Sequence, residues 1–98
     1  MQTANHLNKV TAERVREFLL SRYSESIAAM RPDMTQVPDD FDLLLTGVID
    51  SFGILEMISA IEAELQVQLD LALLDAEDIT KIGPLSRYVA GNVNNQQN

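Results

Sequence analysis

Apolar positions recur at three- and four-residue steps in three stretches of the chain, and this spacing predicts three amphipathic helices. In the first, Val10, Val15, Phe18, Leu19 and Tyr23 form a stripe that can extend through Ile27 to Met30, with Glu13, Arg14, Arg16, Glu17 and Arg22 between them. Thr11 is the expected N-cap, and Glu13 falls in the first turn, where a negative side chain faces the positive helix end. The helix stops between Tyr23 and Met30. Arg31-Pro32 is its limit, because a residue before proline is pushed away from helical angles. In the second stretch Ile54, Met57, Ile58, Ile61 and Leu65 form the stripe, Glu56, Ser59, Glu62 and Ala63 fall on other faces, and Leu55 lies at the boundary. Asp50 or Ser51 is the expected N-cap. In the third, Ile82, Leu85, Tyr88 and Val89 recur, with Pro84 tolerable in the first turn and Gly91 as the expected terminator.

The segments between these stripes have different patterns. Pro32 to Asp42 holds two prolines and four aspartates and reads as loop. Phe41, Leu43, Leu44 and Leu45 are expected to plug the core as irregular structure or one helical turn. Thr46-Gly47 then supplies a flexible turn, and Val48 and Ile49 pin the chain just before Asp50-Ser51. Val67 and Leu69 alternate with polar residues but have no partner strand, which makes an extended connector. Leu71 to Ile79 fits one or two helical turns, with Leu73 and Leu74 anchored inward and Asp75, Glu77 and Asp78 in water. The expected fold is all-α: a four-helix bundle of three main helices and one short one, with a long loop between the first two. One domain spans 9–91, and residues 1–8 and 92–98 are expected to be disordered.

Composition narrows the chemistry. The 98 residues include no cysteine, so disulfides, thiolate metal sites and cysteine nucleophiles are excluded. No apolar run reaches the roughly 20 residues of a membrane span, and the N-terminus lacks a signal-peptide pattern, so a soluble cytoplasmic protein is expected. The net charge of −8 is uneven: residues 1–31 carry +2, and from Asp39 to Asp78 there are eleven acids with no Lys or Arg. Such a field repels nucleic acid and anionic lipid and favours basic protein surfaces.

Catalytic constellations are hard to assemble from these residues. His6 is the single histidine and lies in the polar N-terminus, which argues against a Ser-His-acid triad. Asp39-Asp40-Phe41-Asp42 lacks the central glycine and closing glutamate of a calcium loop. Gly47 and Gly53 are isolated, so there is no glycine-rich phosphate loop. A binding module, not an enzyme, is expected. Ser51 carries the one specific hypothesis: a serine opening a helix can be a plain N-cap, yet a phosphate ester there is favoured by unpaired N–H groups and the helix dipole. Asp50 beside it offers a hard oxygen ligand for magnesium during phosphoryl transfer.

Gly47-x-x-Asp50-Ser51-Phe52, followed by Glu56, the stripe from Ile58 to Ile61 and Glu62-x-Glu64-Leu65, resembles the acyl and peptidyl carrier protein family. The likeness extends from the first helix to Val89. It implies that a phosphopantetheinyl transferase attaches 4'-phosphopantetheine to Ser51, using coenzyme A and magnesium, with Asp50 part of the modification motif. It also implies a loading ligase, adenylating enzyme or acyltransferase as a partner. Downstream biosynthetic enzymes with basic docking patches would meet Phe52, Leu55, Glu56, Ser59, Glu62 and Ala63. Family members of this size act as monomers. Phe52 stands where leucine is usual, and the stretch from Arg22 to Ser51 is longer than in compact fatty-acid carriers. The run Gly47 to Gly53 is closer to discrete carriers of nonribosomal peptide or polyketide assembly. The alternatives are a housekeeping fatty-acid carrier and an unmodified acidic adaptor in which Ser51 only caps its helix.

Overall fold

The structure, a computed structural model, describes residues 10–96, and the expectations for 1–8 and for the last two residues of the tail lie outside them. The described chain is all-helical, with α1 (Ala12–Met30), α2 (Ser51–Leu65), a 3-10 turn (Leu71–Leu73) and α3 (Ile82–Gln96). Among the described residues the isolated bridge between Asp42 and Lys81 is the one β-type pairing.

Each helix forms where its apolar stripe predicts. Thr11 caps α1 by accepting the Arg14 N–H at 3.1 Å, and the helix runs on to Met30. It stops there because Arg31 precedes Pro32, and the Arg31 N–H closes the last turn onto the Ile27 carbonyl at 2.8 Å. Val15, Leu19 and Ile27 from α1, Met57, Ile58 and Ile61 from α2, and Ile82, Leu85 and Val89 from α3 form one core, completed by Phe41, Leu43 and Ile49 from the long loop. α1 and α3 pack against each other directly. α2 closes the core through its side chains and is tied down at both ends.

Four expectations are corrected. Leu45 is 82% exposed and Leu73 is 73% exposed, so neither anchors the core. In the tight turn that follows Asp42, successive leucines project in different directions: Leu43 enters the core, Leu44 is half-buried and Leu45 faces out. In a 3-10 turn positions three apart eclipse, so Leu71 and Leu74 share the inner side and Leu73 falls on the other. The segment after the connector is that single 3-10 turn followed by turns, shorter than a helix. Gly91 does not end the last helix, which continues through it to Gln96. Gly91 lacks the left-handed conformation of a C-terminal cap, so it is an ordinary helical residue.

Candidate functional site

The turn that leads to Ser51 is built on Asp42. Its Oδ1 accepts the N–H groups of Leu44 at 3.0 Å and Leu45 at 3.1 Å, and also the Thr80 hydroxyl at 2.8 Å. The Thr46 hydroxyl donates to the Asp42 carbonyl at 2.7 Å, and Gly47 turns the chain with φ +86°. Only glycine suits that position. Its φ is left-handed, and a Cβ would lie 2.6 Å from the Met30 Cε. The Ile49 N–H then returns to the Leu43 carbonyl at 3.0 Å, which buries Ile49 immediately before the helix.

Asp50, in extended conformation, is the N-cap of α2, and its Oδ1 accepts the Gly53 N–H at 2.8 Å. Ser51 is therefore the first residue inside the helix, exposed, and its hydroxyl has no hydrogen bond among the described residues. The reading of Ser51 as a plain N-cap is corrected accordingly. A backbone N–H can be capped by only one of the two side chains, and the extended Asp50 reaches it.

The predicted partner residues divide into two groups. Phe52 is 79% and Leu55 64% exposed, and Glu56, Ser59 and Ala63 are exposed with them, so five of the six stand on the open surface of α2. Glu62 is half-buried, and its Oε2 accepts the Leu69 N–H at 2.9 Å. That bond ties the C-terminal end of α2 to the connector, leaving Glu62 less free than its neighbours to meet a partner. Among the described residues no group of three or more His, Asp or Glu side chains is placed to hold a metal ion.

Sequence reasoning missed Arg22. It lies on α1, yet it lines an open cleft of about 440 Å³ that also borders Asp50, Gly53 and Glu56, and a second surface depression beside Leu55, Glu56 and Ser59. Its guanidinium rests over the Tyr23 ring, 5.6 Å from the centroid. One cation thus stands next to the acidic helix, and only the packing of α1 beside α2 reveals it. Asp42 and Thr80 were also missed, since their roles depend on a contact between distant segments.

No protein-family model matches the chain, nor does any curated protein or solved structure. Among the described residues no helix is long and apolar enough to cross a membrane.

Proposed function

We propose that the protein is a carrier that bears 4'-phosphopantetheine on Ser51 and passes a thioester-bound acyl or aminoacyl group between enzymes of a specialised biosynthetic pathway. On this reading the 3-10 turn stands in for the short third helix of a four-helix carrier bundle. The arm supplies a thiol at the end of a long flexible chain, and the protein itself catalyses no step.

One observation carries the reading: Ser51 is exposed at the first position of α2 with an unengaged hydroxyl, because Asp50 has taken over the capping. A phosphate ester on that oxygen would meet the positive end of the helix dipole. Asp50 spends its Oδ1 on Gly53, and its second oxygen has no hydrogen bond among the described residues. That oxygen is available to a magnesium ion during transfer, which is the chemistry its donor type suits. Phe52 and Leu55 stand out into solvent beside the serine, with Glu56 next to them and no basic residue within α2 itself. Exposed apolar anchors ringed by acids suit brief docking on basic enzyme surfaces, where surface ion pairs steer encounter without tight binding.

The deciding measurement is intact mass after incubation with coenzyme A, magnesium and a promiscuous phosphopantetheinyl transferase. The wild-type chain gains one phosphopantetheine mass and Ser51→Ala gains none. A wild type left unmodified by several transferases would sink the carrier reading and leave the acidic adaptor.

A further inference from the structure

Thr80 lies far from Ser51 along the chain and is 3% exposed, yet it holds the turn that presents the serine. It does so twice. Its hydroxyl donates to Asp42 Oδ1 at 2.8 Å, and its carbonyl accepts the Leu43 N–H at 2.8 Å. Leu43 in turn accepts from the Ile49 N–H at 3.0 Å, and Ile49 directly precedes the Asp50 cap. On the other side the Ile82 N–H donates to the Phe41 carbonyl at 3.0 Å, so the start of α3 and the turn before α2 form one hydrogen-bonded unit.

We propose that Thr80 is a positioning residue for the modification of Ser51, acting through Asp42 and the Leu43–Ile49 bond, an inference that rests on the carrier reading. The side-chain and main-chain links of Thr80 are separable. Val at this position keeps the shape and the carbonyl but has no hydroxyl. The Asp42 carboxylate then loses the one donor that comes from outside its own turn, and the turn before α2 keeps only its main-chain links to Thr80 and Ile82. Ser51 occupies its presented geometry for a smaller fraction of the time, and apparent affinity for a partner falls by that fraction. The complex, once formed, is the same. KM therefore rises while kcat holds, which distinguishes positioning from a residue that only stabilises the fold.

The test is steady-state transfer of phosphopantetheine from coenzyme A to the intact chain, at a temperature where circular dichroism shows every variant fully folded. Thr80→Val is expected to raise KM about three- to tenfold, less than the full worth of one charge-assisted hydrogen bond because the main-chain link remains, with kcat within about twofold. Thr80→Ser keeps the donor and is expected to restore the wild-type KM. The Gly53 amide, which reports the Asp50 cap, is expected to exchange faster in Thr80→Val. A lowered melting temperature with unchanged KM overturns the proposal and makes Thr80 a stabilising residue only. Should Thr80→Val fail to fold, Asp42→Asn, which keeps the acceptor oxygen without its charge, carries the same comparison: KM rises, or the proposal falls. A wild type that accepts no arm overturns the carrier reading itself, and that failure is distinct because no variant then has a KM.

Discussion

The Asp50 carboxylate caps the helix that Ser51 begins, its Oδ1 accepting the Gly53 N–H at 2.8 Å. Glycine at 53 also lets the helix start close to Ile49, since a Cβ there would fall 2.8 Å from the Ile49 Cβ. One side chain thus fixes where α2 starts and, on the carrier reading, contributes to the transfer chemistry beside it. The two roles separate by substitution. Asp50→Ala loses the cap and is expected to cost about 1 kcal/mol of stability, whereas Asp50→Asn keeps it and is expected to stay near wild type. Both are expected to slow modification of Ser51. Thermal unfolding beside a mass-based transfer assay checks the pair, and Asp50→Asn modified at the wild-type rate would confine Asp50 to capping.

Phe52 and Ile61 sit on opposite sides of the same helix, one 79% exposed and the other fully buried. Ile61→Ala is expected to destabilise by about 2–5 kcal/mol because it opens a cavity in the core. Phe52→Ala is expected to change stability by no more than about 0.5 kcal/mol, as surface substitutions do. If Phe52 is an anchor for partners, the same variant lowers the rate of transfer to Ser51. Chemical denaturation and the transfer assay together show whether its exposure serves docking.

How much of this was legible in the sequence depends on the range of the interaction. The three apolar stripes, the Thr11 cap and the stop before Pro32 are local, set by spacing and backbone sterics within a few residues, and the structure follows them. Asp50 or Ser51 as the cap of α2 was an open pair, because both types cap well. Backbone conformation decided it for Asp50. Leu45 and Leu73 were misplaced because apolar character alone does not say which way a residue points in a tight turn. The Asp42–Thr80 bond joins distant segments, and Arg22 comes to line one cleft with Glu56 only through the fold, so no periodicity encodes either. Asp50-Ser51, on which the carrier reading rests, is legible in the sequence, and so are the Gly47 turn and the buried Ile49 that precede it. The Asp42–Thr80 bond that braces this turn is not.

Gly91 gives a test of the last helix. A glycine that ended α3 in a left-handed conformation would resist replacement, and Ala there would destabilise the fold. In the structure Gly91 is helical and exposed, and a Cβ would meet nothing within 4 Å. Gly91→Ala is therefore expected to stabilise by about 0.5–1 kcal/mol, the propensity difference at a helix interior position. Thermal unfolding reads the sign directly. A loss of stability would place the helix end at Gly91 after all.

Tyr88 makes stability respond to alkaline pH. Its hydroxyl donates to the Asp70 carbonyl, pinning the connector to α3. Burial raises its pKa above the ordinary 10.0, and the negative charge of Asp70 raises it further. The folded state therefore holds this proton more tightly than the unfolded chain, so the contribution is fully present below the unfolded pKa. It declines as pH rises past that value and through the folded pKa. Unfolding free energy is thus expected to fall above about pH 10, where free tyrosine ionises. Tyr88→Phe removes both the titration and the hydrogen bond. It is expected to start from a lower stability at neutral pH and to show a shallower alkaline decline. Denaturant unfolding of both proteins across the alkaline range checks the slopes. Equal slopes would show that Tyr88 does not carry the decline.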